Sequence, residues 1–208
     1  VGNRFTLRGG GSSLVGGAVP DNSTVIDMSK MNKIIKLDLK KKEVEVEAGI
    51  ILSDLNYFLE KYNLEFPINP ISSEICTIGG MIAVNASGSR EIKYGKTVNW
   101  VLSLELINGK GEILNLNKFD LSDVIGMEGI TGVITKARLK LIDKVERTAS
   151  IYSFDSIEKV IEFAKKLKLT ENIGFIELYD KLTSSLLGFE DKYHIIVEFD
   201  CQGGRLSK

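Results

Sequence analysis

Fourteen residues near the N-terminus, LRGGGSSLVGGAVP (Leu7–Pro20), have the composition of an anion cradle. Gly9, Gly10, Gly11, Gly16 and Gly17 place five glycines within nine residues, with Ser12 and Ser13 between them. Such a run reaches positive φ without a Cβ penalty, so consecutive N–H groups can turn toward a phosphate or pyrophosphate. A flexible linker shares the glycines, but Leu14, Val15, Ala18 and Val19 interrupt them, and a solvated linker needs no such residues. Spacing excludes two other phosphate motifs. A dinucleotide fingerprint on Gly9 and Gly11 requires glycine at 14, which is Leu14. Tyr94-Gly95-Lys96-Thr97 ends like a P-loop, but its leading glycine position holds Arg90.

A second stretch, PINPISSEICTIGGMIAVNASGSREIKYGK (Pro67–Lys96), has similar features. Pro67 and Pro70 stiffen an extended approach. Thr77 precedes Ile78-Gly79-Gly80 and the helix-compatible Met81–Val84, so it is placed to cap a helix whose N-terminus faces an anion. The turn Asn85-Ala86-Ser87-Gly88-Ser89 follows at once. Packing alone does not require two phosphate-suited elements so close together.

These elements need a scaffold, and 208 residues, 43% hydrophobic and 26% charged, suffice for one large domain or one domain and part of another. A net charge of −1 gives no electrostatic footprint for nucleic acid. Lys40, Lys41 and Lys42 read as a solvated turn between strands. Two cysteines, Cys76 and Cys201, make no disulfide framework, which points to a reducing, cytoplasmic compartment, with the membrane periphery as the alternative for the intact protein. No run approaches ~18 consecutive apolar residues, so no membrane-spanning helix is expected. Starting at Val1 and ending on the polar stretch Gln202–Lys208, the chain reads as part of a longer protein.

Alternating Val- and Ile-rich segments predict strands at Thr24–Met28, Ile34–Leu39, Glu43–Glu47, Val101–Ile107, Glu112–Leu116, Val133–Ile142, Ile173–Leu178 and His194–Phe199. Asn108-Gly109-Lys110-Gly111 predicts a hairpin. Helices are predicted at Ser53–Tyr62, capped by Ser53, and at Ser156–Leu167, capped by Asp155 with Glu158 three residues on. A boundary is expected near Asp143–Ala149.

With RGGGSSLVGG (Arg8–Gly17), CTIGGMIAVNASG (Cys76–Gly88), Tyr94-Gly95 and GMEGITGVIT (Gly126–Thr135) in this order, the sequence resembles the FAD-binding domain of the vanillyl-alcohol-oxidase type, also called PCMH-type. Within it, the D-lactate dehydrogenase and glycolate oxidase flavoproteins are the nearest in pattern. The resemblance implies an α+β fold. A two-subdomain FAD-binding domain would occupy residues 1–147, without its N-terminal part, and the start of an α+β cap domain residues 148–208. The backbone of Gly9, Gly10 and Gly11 with Ser12 and Ser13 would wrap the FAD pyrophosphate. Pro70, Ser72, Thr77, Gly79, Gly80, Ala83, Asn85 and Gly88 would line the pyrophosphate, ribose and isoalloxazine edge. Gly132, Val133 and Ile134 would pack at the adenine and ribose end. Arg8 would either assist the phosphates or bond to backbone. Ser12 stands where members with covalent flavin carry histidine, so the FAD would be non-covalent.

The activity implied is oxidation of a small 2-hydroxy acid, such as D-lactate or glycolate, to the 2-oxo acid, by a homodimer or an oxidase subunit. Alternatives are another flavoenzyme of the fold, such as an alkyl-glycerone-phosphate synthase or a sugar-lactone oxidase, and a non-catalytic FAD-binding subunit. No metal site and no catalytic residue is assigned within the chain. His194, its one histidine, sits in a strand-like run and reads as structural. Cys76 reads as a buried inert thiol, and Trp100 as core. Glu177 and Asp180 read as setting a turn, and Glu128 as either a cofactor contact or a turn cap. Valine at Gly10 or Gly11 is expected to remove cofactor binding while leaving the fold.

Overall fold

The computed structural model describes residues 4–167 and 172–201, and the polar stretch 202–208 lies outside them. The chain divides into two compact units. The first comprises the described residues up to Gly88 together with Lys96–Lys144; the second comprises Ser89–Gly95 and the described residues from Val145 on. A seven-residue segment from within the flavin-like stretch therefore belongs to the second unit.

The first unit is built on a five-stranded antiparallel sheet ordered β3-β4-β8-β6-β7. Before it, β1 (Phe5–Arg8) pairs in parallel with β2 (Thr24–Asp27). The sheet comprises β3 (Ile34–Asp38), β4 (Glu43–Glu47), β6 (Val101–Ile107), β7 (Ile113–Asn117) and β8 (Val133–Lys140). Helix α1 (Leu52–Glu60), the short β5 (Leu64–Glu65), α2 (Ile78–Ala83) and β9 (Ile142–Asp143), which pairs with β5, complete the unit.

β4 shows why the sheet forms. Its sequence EVEVE alternates strictly, and Val44 and Val46 are fully buried. With Leu104 and Leu106 of β6 and Ala137 and Leu139 of β8 they form a buried apolar face, and the core continues into Leu52, Leu55 and Leu59 of α1 and Met81 and Ile82 of α2. The three glutamates of β4 stand in register with cations of β8: Glu43 with Lys140, Glu45 with Arg138 and Glu47 with Lys136. Opposite charges directly across a ladder favour this pairing over a slipped one.

The predicted strands and hairpin occur with shifts of one or two residues. Asn108 closes the hairpin by accepting from the N–H groups of Lys110 (2.9 Å) and Glu112 (3.0 Å). The Lys40–Lys42 run is the turn between β3 and β4. α1 starts differently from expectation. Its N-cap is Ile51, without a side-chain bond, and Ser53 lies inside the helix. The first amides find carbonyls instead: Leu52 N–H donates to Cys76 O (3.0 Å) and Ser53 N–H to Ser73 O (3.2 Å). Trp100 is half-buried rather than core.

The second unit is a three-stranded antiparallel sheet ordered β10-β12-β11. Its elements are α3 (Glu91–Tyr94), β10 (Glu146–Phe154), α4 (Ile157–Leu167), β11 (Ile173–Tyr179), α5 (Lys181–Leu186) and β12 (Tyr193–Cys201). Val160 of α4 packs with Ile173, Ile195 and Val197 to form its core. Asp180 caps α5, accepting from Thr183 N–H at 2.7 Å, so this carboxylate sets a helix start.

Charged side chains fix α3 to this sheet. Arg90 makes a two-point contact with Glu198 (2.7 and 3.0 Å). Asp200, nearly fully buried, accepts from Lys93, from the Tyr94 hydroxyl (2.7 Å) and from Arg147 Nε (3.0 Å). Burial pushes the Asp200 carboxyl up, but Lys93, Tyr94 and Arg147 together hold it below the usual carboxylate value. Burial, reinforced by the hydrogen bond to Asp200, pushes the Tyr94 phenol up to about 12.

Two outcomes follow from the signs of these shifts. Asp200 stabilises the fold above its unfolded value near pH ~4, and this contribution is lost as pH falls further. The neutral Tyr94 phenol stabilises it below about pH 10, and this contribution is lost as pH rises toward about 12. Asp200→Ala should cost about 3 kcal/mol in urea unfolding followed by circular dichroism. Tyr94→Phe should remove a tyrosinate step near pH 12 from an ultraviolet titration. Loss of a step near pH ~10 instead would show a solvent-exposed phenol.

Candidate cofactor-binding site

One cleft of about 360 Å³ in the first unit gathers most of the residues singled out in the sequence. Its walls are the loop after β1, the turn before α2, α2 itself and the start of β8. Gly9, Gly10, Gly11, Ser12 and Ser13 line it from the first loop. Pro70, Ser72 and Thr77 line it from the second, and Gly79, Gly80 and Ala83 from α2. Gly132, Val133 and Ile134 close it at β8.

Three candidates lie outside this lining. Arg8 sits beside the glycine loop, its guanidinium against Gly11. Asn85 adopts φ +50°, and its Oδ1 accepts from Val98 N–H at 3.0 Å, so it shapes the turn after α2. Gly88 packs on the backbone of Asn69, where a Cβ would collide. Both have structural duties that leave them apart from the cleft.

Among the described residues, no acceptor takes a hydrogen bond from the N–H groups of Gly9, Gly10, Gly11, Ser12 or Ser13. Five consecutive amides are thus available to one ligand. Gly11 has φ +66°, a conformation that favours glycine. Gly10 has a different reason to be glycine, because a Cβ there would overlap the Ile75 carbonyl.

The helix terminus does not behave as expected. In α2, Ile78 N–H donates to Ile50 O (2.9 Å), Gly79 N–H to Ala48 O (2.7 Å) and Gly80 N–H to Thr77 Oγ1 (3.2 Å). Thr77 is therefore the cap the sequence predicts, but the first amides of this six-residue helix are already satisfied. α2 serves as a wall of the cleft, and the amides left without partners among the described residues are those of the first loop.

Sequence reasoning missed Met28 and Ala48, which follow β2 and β4 and line the cleft, and Val84, Ala86 and Gly129. None carries a chemical signature; small or apolar side chains at strand ends are legible only once the strands are placed. Glu128 is the one charged residue of the lining. It occupies a turn at φ +53°, and its N–H donates to Ala83 O at 2.8 Å. Glu128 thus belongs to a turn that borders the cleft. Burial pushes the Cys76 thiol up, against a smaller opposing effect of its hydrogen bond with Ser72, so the sulfur stays a neutral thiol at neutral pH.

The remaining candidates are placed elsewhere. His194 is buried in the second unit, where its Nδ1 lies 3.0 Å from Ser184 Oγ and 3.2 Å from Lys192 O and its ring packs on Phe189. Glu177, on β11, raises the Tyr179 phenol together with burial, the larger cause. Among the described residues, no group of three or more His, Cys, Asp or Glu is placed to hold a metal ion. No helix among them is long and apolar enough to cross a membrane.

A cleft with a row of free amides at one end and a largely apolar lining defines a site for an extended ligand with an anionic centre. Residues 2–117 match the FAD binding domain family, and the chain belongs to it. The cofactor of this family is FAD.

Curated relatives include a D-lactate dehydrogenase of Archaeoglobus fulgidus, 35% identical over 77% of this chain and 39% of that protein. A D-2-hydroxyglutarate dehydrogenase of Stutzerimonas stutzeri is 32% identical over 88% and 42%. Glycolate oxidase subunit GlcD of Bacillus subtilis is 31% identical over 88% and 41%. The chain thus spans about two-fifths of the length of these relatives. A solved alkyldihydroxyacetonephosphate synthase has the same fold, with a TM-score of 0.86 at 23% identity over 95% of this chain and 42% of that one.

Gly10 and Gly11 should separate folding from binding, contrary to the equal behaviour the sequence suggests. Gly10→Val must displace the Ile75 carbonyl, so both the thermal midpoint of the apo chain and FAD binding should fall. Gly11→Val meets only the tip of Arg8 and strains a positive φ at about 1–3 kcal/mol, so FAD binding should be lost while the circular dichroism spectrum is retained. Full flavin occupancy in Gly11→Val would show that the ligand does not use this loop.

Proposed function

We propose that this chain is the FAD-holding part of an oxidoreductase that converts a 2-hydroxy acid of the lactate, glycolate or hydroxyglutarate class to the 2-oxo acid. The observation that carries the reading is the row of five unclaimed amides, Gly9 to Ser13, in the wall of the cleft. Bound flavin would supply the acceptor for the two electrons that leave the substrate carbinol carbon.

The chain's own residues bind and orient. The Gly9–Ser13 amides and the hydroxyls of Ser12 and Ser13 hold the pyrophosphate. Thr77, Gly79, Gly80 and Ala83 form the wall along the ribityl and ring portion, and Gly132, Val133 and Ile134 border the adenine end. Cofactor attachment is non-covalent, since position 12 is serine and the Cys76 thiol is buried and neutral. We place the start of the substrate domain at about residue 148, within the second unit. The relatives that support the hydroxy-acid reading are 31% to 35% identical, whereas the synthase likeness, at 23%, supports the fold alone.

Catalysis needs a base within hydrogen-bond reach of the substrate hydroxyl and a cation for its carboxylate. The only histidine has its Nδ1 within reach of Ser184 and Lys192 and its ring stacked on Phe189. The cleft lining contains no lysine, arginine or histidine.

FAD should therefore bind apo chain more tightly than FMN in a fluorescence-quenching titration; equal affinity would overturn the FAD reading. Acid precipitation should leave all the yellow colour in the supernatant. Anaerobic mixing of the loaded chain with D-lactate, glycolate or D-2-hydroxyglutarate should leave the flavin oxidised, while dithionite still bleaches it. Bleaching by any one of these acids would show that the base lies within these 208 residues.

A further inference from the structure

The cleft has an electrostatic shortfall. A pyrophosphate carries two negative charges, yet among the described residues no cation lines the cleft and the one charged residue of its lining, Glu128, is acidic. Amide dipoles supply partial charges only. Arg8 stands at the edge of the five free amides. It ends β1, and its carbonyl accepts from Met28 N–H at 2.8 Å, so the backbone that carries it is fixed. Its Nε and Nη2 would lie 3.2 Å from a Cβ built on Gly11, which places the guanidinium beside the middle residue of the row.

The guanidinium is uncommitted. Among the described residues it makes no hydrogen bond and no ion pair. Asp27, its register partner on β2, feels it only at a distance, and the Asp27 carboxylate accepts from Ser29 N–H at 2.8 Å. A guanidinium is a planar fork of donors that matches two phosphate oxygens at once.

We propose that Arg8 completes the amide cradle, its guanidinium pairing with the pyrophosphate of FAD. The inference rests on the FAD reading above and goes beyond it: the cradle is an amide row plus one side-chain cation, and FAD affinity depends on that charge.

The test is titration of the apo chain with FAD by fluorescence quenching, across a range of salt concentrations, for the wild type, Arg8→Gln, Arg8→Lys and Asp27→Asn. Arg8 is exposed, so the melting temperatures of its apo variants should match the wild type. Arg8→Gln should weaken FAD binding by about tenfold and flatten its salt dependence. Arg8→Lys should keep the salt dependence with intermediate affinity, because the charge remains and the fork is lost. Asp27→Asn should bind FAD at least as tightly as the wild type. Wild-type affinity and salt dependence in Arg8→Gln would overturn the inference and leave the FAD reading standing. Equal losses of apo melting temperature and FAD affinity in Arg8→Gln and Asp27→Asn would assign Arg8 to a structural pair with Asp27, which also overturns it. Failure of the wild type itself to bind FAD would overturn both.

Discussion

The cleft depends on one close approach, that of the Gly10 backbone to the carbonyl of Ile75. The turn that presents this carbonyl is held by its own bonds, Cys76 N–H to Ser72 O at 2.8 Å and Ser73 N–H to Pro70 O at 3.0 Å. Carbonyls of the same turn accept the first amides of α1, and Thr77, immediately after it, bridges to Ile51. The start of α1, the cap of α2 and the position of the glycine loop are thus fixed by one set of backbone contacts. This explains how α1 begins without a capping side chain: its orphan donors are satisfied by the turn that forms the cleft wall. It also explains the cost of a side chain at position 10, which would separate loop from wall.

A protein normally pairs its backbone donors, so five successive amides without protein partners need a reason. Here the loop lies at the surface, with Gly10, Gly11 and Ser13 exposed, so water can occupy the donors when no ligand does. Replacing that water with an anion breaks no hydrogen bond between these amides and the described residues. The glutamates of β4 and the cations of β8 are paired across the ladder, while the strand faces toward the core hold Val44, Val46, Ala137 and Leu139.

The strands were legible where alternation was strict. EVEVE in β4 has one reading, and Asn108-Gly109-Lys110-Gly111 announces its hairpin through an Asn side chain that mimics a turn. β10 was not legible. Its residues ERTASIYSF follow no clear alternation, and a domain boundary was expected across its beginning. α3, with four residues, owes its place to the ion pairs of Arg90 and Lys93 with residues more than 100 positions away, a tertiary effect that no local pattern encodes. The cleft was legible through its glycines, because a backbone that must approach a ligand leaves a compositional trace. Met28 and Ala48 left none, since they line the cleft only by standing where strands end. The helix N-terminus at Thr77 misled for a definable reason: sequence reveals a cap, but not whether neighbouring carbonyls have already taken the amides behind it.

Recognition of the cofactor by backbone has a consequence for how function is distributed along such a chain. Loop amides that held a pyrophosphate would do so whatever substrate the holoenzyme takes, so this stretch need not change when the substrate does. Relatives named for D-lactate, D-2-hydroxyglutarate and glycolate are similar to this chain at comparable overall identities, 35%, 32% and 31%. Choosing among 2-hydroxy acids requires side chains that distinguish a methyl, a hydrogen or a second carboxylate beside the carbinol carbon. The cleft lining supplies glycines, small hydroxyl residues, aliphatics and a single carboxylate, a set suited to holding a cofactor and poorly suited to sorting acids. Such a lining fits a cofactor platform, on which selection among acids would fall to side chains outside this cleft.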